Sequence, residues 1–545
     1  VLFRSGISYS AVMNVSAAGI ELTGTTSNNY GVYTSNASLI TANYIAINGL
    51  ASTAVGGWVT YIGALTINSA ATGGDITITA TGASAGGGNG LYQSGTVTGA
   101  NGSDITFTSN NAISQGGAVS LAANTNGSAA TLLYDTTGGN KLSTITSGTL
   151  TIGAGSSSDI NFIMKSAGGA LNPGLIATSS ARLPGTVTLD NTYGGSSPAS
   201  GYITTSNIAT YATTSVGVTI NNAIYSTKLI SVKGISYTAQ GINYSVAINA
   251  STAGVELTGT TSNNYGIYTG NASLITANYI TINGYASAAV GGWIDYIGPL
   301  TINSGSTGGD ITITATGATA GGGNGLYQSG AISAANGSDL TFTSNNAISQ
   351  NGAITLAANT NATSRIFYDN TTATKASSIY GAAVTLTSGS NQDVNYTMLS
   401  AGGSLQVGGG VAVNGTVTLD NTYGCTGTNC TPATGYITTA NYSTLATTSH
   451  GVQTTSGTLS AVKGITINAI SYGNYGLYSN QTISSSTGNI LITGTGRAGI
   501  YVEGTIAAGN NTTAPSSGGT ITINATGNGS GYYGLWANAA SIVSY

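Results

Sequence analysis

The chain runs to 545 residues but carries only 10 Lys or Arg and 14 Asp or Glu, 4% of the total, where ordinary soluble domains hold roughly 25%. Its net charge of −4 offers no basic face for nucleic acid or for an acidic membrane surface. A hydrophobic share of 40% with only six Pro argues against disorder, and the 83 Gly follow no collagen-like period of three.

Membrane insertion fits poorly as well. A spanning helix needs about 18 to 20 consecutive apolar residues, whereas the uncharged stretch from Leu22 to Gly74 is broken throughout by Gly, Ser, Thr and Asn. An outer-membrane barrel needs alternating strands of about 9 to 11 residues, longer than units such as Leu65-Thr-Ile67 and Ile76-Thr-Ile78. No transmembrane segment is expected, and solubility rests on Thr, Ser and Asn.

Residues 1–5, Val-Leu-Phe-Arg-Ser, read as the translated end of a sequencing adapter, which puts the start of native sequence near Gly6. Neither an initiator Met nor a signal peptide is in view, and this says nothing about location. From there on, apolar-x-apolar triplets begin at Ile45, Leu65, Ile76, Ile105, Val119, Leu150, Ile160, Val187 and Val218, at spacings of 10 to 31 residues. Such alternation is a strand signal, and strands this short need stacked neighbours. The expected fold is all-β: a right-handed parallel β-helix, or β-solenoid, with irregular turn lengths. Two or three strands per turn of roughly 20 to 30 residues, rising about 4.8 Å each, give a rod on the order of 100 Å over roughly 20 turns. With no sustained 3.6-residue periodicity, the chain is expected to be nearly free of helix.

A longer repeat overlies the short one. Glu21 to Asn126 returns without a gap as Glu256 to Asn361, with 19 of 106 positions changed. Changes such as Val32/Ile267, Val59/Ile294 and Ile105/Leu340 keep an aliphatic side chain, which marks these positions as inward-facing. Thr186 to Tyr193 likewise returns as Thr416 to Tyr423, and Ser231-Val-Lys-Gly234 as Ala461-Val-Lys-Gly464. The expected divisions are a first superrepeat over residues 6–234, a second over 235–464 and a partial third copy over 465–545.

Reactive residues are few. Twelve acids form six matched pairs: Glu21/Glu256, Asp75/Asp310, Asp104/Asp339, Asp135/Asp369, Asp159/Asp393 and Asp190/Asp420. Asp75, Asp104 and Asp159 each precede a triplet, after Gly or Ser, where an Asp is expected to bond its own following backbone in a turn rather than serve as a calcium ligand or a glycosidase carboxylate. His450 is the only His and aligns with Val216, so it reads as a surface residue outside any catalytic constellation. No catalytic residue, metal site or cofactor is expected.

The 32 Tyr stand out against five Phe and three Trp. Tyr30/Tyr33, Tyr265/Tyr268 and Tyr475/Tyr478 recur in an Asn-Tyr-Gly-aliphatic-Tyr setting, with Tyr92 and Tyr327 single. These eight residues are the candidate binding surface, since Tyr joins an apolar face to a polar tip. The competing reading is that the rings simply stack between turns. Trp58 and Trp293, in Val-Gly-Gly-Trp, read as core or corner plugs.

The recurring units Gly73-Gly-Asp-Ile-Thr-Ile-Thr-Ala-Thr-Gly82, Gly308 to Gly317 and Gly518 to Gly527, joined to Asn89-Gly-Leu-Tyr92, Asn324 to Tyr327 and Tyr533-Gly-Leu-Trp536, carry a resemblance. In these the sequence resembles the filamentous-haemagglutinin-like adhesins of two-partner secretion and, less closely, autotransporter passengers. The resemblance covers nearly the whole chain but is one of style rather than of a diagnostic motif. It implies export through an outer-membrane secretion pore, an extracellular or cell-surface location, and attachment to a surface glycan or protein. Two other functions are weighed: a polysaccharide-active β-helix enzyme, disfavoured by the scattered basic residues, and an ice-binding solenoid, for which Thr77/Thr79 and Thr312/Thr314 qualify but irregular turn lengths argue against a continuous array.

The two cysteines, Cys425 and Cys430, enclose an insertion where the first copy has Gly195-Ser-Ser-Pro198. A local disulfide is expected, because four intervening residues including a Gly allow Cα atoms within about 4.4 to 6.8 Å; two free thiols are the alternative. Such a bond would support an oxidising, exported setting.

Overall fold

Alternation within each triplet decides what the strands bury. In Ile45–Ala51, Ile45 and Ile47 are 1% and 2% exposed, while Ala46 and Asn48, which alternate with them, take the less buried outward positions. Burying each such aliphatic side chain contributes roughly 1.5–3 kcal/mol, which a three- to seven-residue strand realises only when a neighbour closes the layer above it.

The computed structural model describes all residues except 1–5, 28, 36–37, 54–57, 84–88, 140–141, 195–200, 271–272, 289–292, 319–323, 374–375, 425–435, 438–440, 510–517, 539 and 545. It comprises two compact units, Val1–Ala277 and Asn278–Tyr545. Each is a parallel β-solenoid, and together they contain about 17 turns.

A turn has three strands. In the first unit one turn consists of Ile45–Ala51 on a first face, Trp58–Ile62 on a second and Ala64–Ile67 on a third. Each pairs in parallel with its counterpart in the next turn, Ile45 with Ile76, Tyr61 with Tyr92 and Leu65 with Val97. The second unit repeats the plan: Ile311–Thr316, Asn324–Gln328 and Ile332–Ala334 pair with Leu340–Ser344, Ile348–Gln350 and Ile354–Leu356.

The interior is built in columns. On the first face of the first unit, Ile76, Ile105 and Leu132 stand in register, and Ile78, Phe107 and Tyr134 form the adjacent column. Phe107 and Tyr134 stack with centroids 5.0 Å apart. The second unit has Phe342 on Tyr368 at 4.8 Å in the matching place.

Turn length varies far more than register. Tyr396 and its partner Val417 are 21 residues apart, whereas Val417 and its partner Ile465 are 48 apart. The surplus leaves the sheet as excursions after Asp190 and Asp420. Each has an antiparallel bridge, Tyr193 to Tyr202 and Tyr423 to Tyr436, and a single helical turn, Ile208–Tyr211 and Tyr442–Leu445. These single turns accord with a chain expected to be nearly free of helix. They hold because Ile203, Ile208 and Ala212 gather over Ile235 in one excursion, and Ile437 and Leu445 over Ile470 and Ala401 in the other.

One glycine in each unit permits the docking. Gly168 and Gly402 both have φ of +73°, and an added Cβ would overlap the carbonyl oxygen of Tyr211 or of Leu445. Only glycine meets both demands.

Candidate functional site

On some successive turns the outward position of the second-face triplet is aromatic, and there it builds ladders. Tyr33, Tyr61 and Tyr92 occupy matching places on successive turns, with centroids 5.3 and 4.9 Å apart. Tyr30 leans on Tyr33 at 5.0 Å, and Trp58 on Tyr92 at 5.2 Å. Tyr265 and Tyr268 form a pair at 5.1 Å later in the same unit.

The second unit carries two further groups. Tyr327 meets Tyr296 at 4.8 Å and Trp293 at 5.2 Å. Tyr478 stacks on Tyr501 with planes 3° apart, Tyr475 lies 5.1 Å from Tyr501, and Trp536 meets Tyr501 edge-on at 5.3 Å. All but Trp536 are half-buried. Apart from the edge-on Trp536, the rings meet tilted or stacked, so each ladder is a continuous half-buried aromatic strip. Burial raises the pKa of Tyr30 and Tyr475, so these phenols remain donors at neutral pH.

The eight tyrosines singled out from the sequence therefore fall into three ring groups and one pair. Sequence reading missed Tyr61, Tyr296 and Tyr501. Their signal is the place they share with Tyr33 and Tyr92, between two inward residues of which at least one is aliphatic. Trp58 and Trp293 are corrected: they are ladder members on the outer face, because their strands bury the residues that follow them. His450 is also more engaged than expected, stacking on Tyr478 at 4.7 Å and Tyr475 at 5.7 Å. Its half-burial lowers its pKa from the ordinary 6.5.

The carboxylates hold the backbone, in two ways. Asp75 and Asp104 do not bond their own following residues. Asp75 Oδ1 accepts the N–H of Asp104 at 3.0 Å, and Asp104 Oδ1 that of Thr131 at 2.6 Å, each one turn on. Asp310 and Asp339 repeat this with Asp339 and Arg365. The stacking distance, invisible in sequence, makes the next turn the nearer donor. Asp159 instead meets Lys228 at 2.6 Å, as Asp393 meets Lys463 at 2.7 Å. The local turn belongs to Asp135, Asp190, Asp369 and Asp420, whose Oδ1 atoms accept the backbone N–H of Thr137, Thr192, Thr371 and Thr422.

The third face carries uncharged hydroxyl columns. Thr41, Thr66, Thr98, Ser120 and Thr151 form one unbroken outward column in the first unit, and Thr301, Ser333, Thr355 and Thr385 another in the second. Irregular turn lengths thus do not interrupt such arrays, because the extra residues sit in loops and the sheet keeps its register.

Among the described residues no group of three or more His, Cys, Asp and Glu could hold a metal ion, and no helix is long and apolar enough to cross a membrane. Cys425 and Cys430 lie outside the described residues. In comparisons with known proteins, no family model, curated protein or solved structure matches the chain.

Proposed function

We propose that the chain is an adhesive segment of a secreted or surface-anchored bacterial exoprotein of the filamentous-haemagglutinin-like kind, attaching to a surface glycan through its aromatic ladders. The observation that carries this reading is the recurrence of outward ring groups on the second face in both units. Stacked phenols hold an apolar, hydroxyl-edged strip rigid at little entropic cost, and extended glycans present alternating C–H and O–H edges to such strips. The reading includes an extracellular location and no catalysis.

The test is binding of the purified chain to immobilised polysaccharides and to cell surfaces, beside a triple Tyr33→Ser, Tyr61→Ser, Tyr92→Ser variant and a triple Tyr475→Ser, Tyr478→Ser, Tyr501→Ser variant. Each is expected to lose at least about tenfold in affinity, since stacking contacts contribute about 0.5–1.5 kcal/mol apiece, with the β circular dichroism retained. Binding untouched by both sets, binding to protein receptors alone, or no attachment at all would overturn it.

A second reading has its own observation, the unbroken Thr41–Thr66–Thr98–Ser120–Thr151 column. Regular hydroxyls in an uncharged column suit an ordered water lattice. Thermal hysteresis abolished by Thr66→Lys and Thr98→Lys would favour it over attachment to glycans.

A further inference from the structure

Between the second excursion and the first face of the second unit lies an open cavity of about 400 Å³, lined by Thr422, Ile437, Asn468, Ile470, Thr493 and Thr495 among others. Beside it stands Asp420, only 7% exposed. Its Oδ1 accepts the backbone N–H and the hydroxyl of Thr422 at 2.9 and 2.6 Å, and its Oδ2 accepts the amide of Asn468 at 2.8 Å.

The first copy shows what this carboxylate faces when the chain supplies its own cation. There Asp135, Lys165, Asp190 and Lys233 follow one another on successive turns, and Lys233 Nζ lies 3.9 Å from Asp190 Oδ2. The corresponding rungs of the second copy are Asp369, Leu399, Asp420 and Asn468. Both lysines are gone, while the surroundings persist: Tyr423 and Tyr436 keep the 5.3 Å ring contact of Tyr193 and Tyr202, and Thr493 and Thr495 stand where Thr258 and Thr260 do.

Asp420 also sets the polarity of the cavity wall. Thr422 spends its hydroxyl proton on the carboxylate, and Asn468 spends one of its two amide protons, which leaves the Thr422 oxygen and the Asn468 side-chain carbonyl as acceptors beside one remaining amide donor. A buried carboxylate behind a wall rich in acceptor oxygens favours a donor-rich cation. Thr493 and Thr495 add hydroxyls, and Ile437 and Ile470 an apolar wall. A volume of about 400 Å³ exceeds what one ammonium fills and falls within the range of small-molecule sites.

We propose that this cavity binds an amine-bearing sugar, its ammonium placed beside Asp420 and Asn468 where the first copy carries Lys233, and its hydroxyls on Thr422, Thr493 and Thr495. The ammonium follows from the site itself, and the sugar rests on the attachment reading above. Glucosamine, glucose, N-acetylglucosamine, methylammonium and an N-acetyl-lysine amide are titrated into the full chain by calorimetry or saturation-transfer NMR, beside Asn468→Lys and Thr495→Val variants.

Glucosamine is expected to bind saturably, at least tenfold more tightly than the other four, with a further tenfold loss in Asn468→Lys and a smaller loss in Thr495→Val. Asn468→Lys restores the residue that the first copy folds with, and unchanged β circular dichroism checks that it folds here. Equal binding of glucose or N-acetylglucosamine would overturn the ammonium's role, and equal or tighter binding of methylammonium or the lysine amide the sugar's. No binding, or binding indifferent to Asn468→Lys, would overturn the site. Attachment that depends on Tyr33, Tyr61 and Tyr92 in a chain that ignores glucosamine would leave the attachment reading standing while this one fails.

Discussion

The phenol of Tyr134 donates a 3.0 Å hydrogen bond to Oε1 of Gln115, from the neighbouring turn, within the buried interior of the first unit. Tyr368 and Gln350 make the equivalent bond at 3.1 Å in the second unit. Burial holds the Tyr134 phenol far above its ordinary pKa, so it is always a donor. Gln115 Oε1 also accepts the Gly148 N–H and is not orphaned when the phenol is lost. Tyr134→Phe should therefore cost only about 1 kcal/mol, against about 3–5 kcal/mol for Tyr134→Ala, which empties the stack between Phe107 and Phe162. Urea unfolding read together with amide exchange in the flanking strands checks it; equal costs would contradict the stacked interior.

Gly168→Ala should loosen the first excursion while sparing the sheet. The substitution meets a positive φ, costing roughly 1–2 kcal/mol, and a clash with the Tyr211 carbonyl. Faster amide exchange at Ile208–Tyr211 and Thr213, with Val187–Asp190 unchanged, is the expected pattern.

Leu399→Lys should strengthen the second unit, because it places an ammonium between the register neighbours Asp369 and Asp420. A cross-strand charge pair contributes roughly 0.2–1 kcal/mol. The gain should fade at about 1 M salt, where screening reaches within about 3 Å, and Leu399→Glu should destabilise. Thermal melts at two salt concentrations read both effects.

His450 supplies a pH dependence. Its folded pKa lies below the ordinary 6.5 through burial, so the unfolded chain takes up the proton more readily than the folded one. The stability from this residue is complete above pH 6.5 and is lost as pH falls below that value toward the folded pKa. NMR titration should place the imidazole below 6.5, and amide protection at Tyr475–Ser479 should fall on acidification in the native chain but not in His450→Phe.

The inward columns were legible because aliphatic exchanges such as Val32/Ile267 preserve burial, and both residues are fully buried. The ring ladders were half legible. The Asn-Tyr-Gly-aliphatic-Tyr setting marked Tyr30 and Tyr33, but what joins Tyr33 to Tyr61 is register across a turn, which spacing alone does not set. The same blindness misassigned Asp75 and Asp104, whose donors lie 29 and 27 residues away. The helical turns were hidden because four residues cannot show a helical period; contacts with Ile235 and Ile470 hold them.

Turns of 21 and of 48 residues both add a single rung to the first face. Axial advance and residue expenditure are consequently separate quantities in this chain. An insertion in a corner spends residues sideways, as ornament, and leaves the rungs beneath in step. New surface chemistry can thus be tried at a loop without renegotiating the interior, as the excursions after Asp190 and Asp420 illustrate.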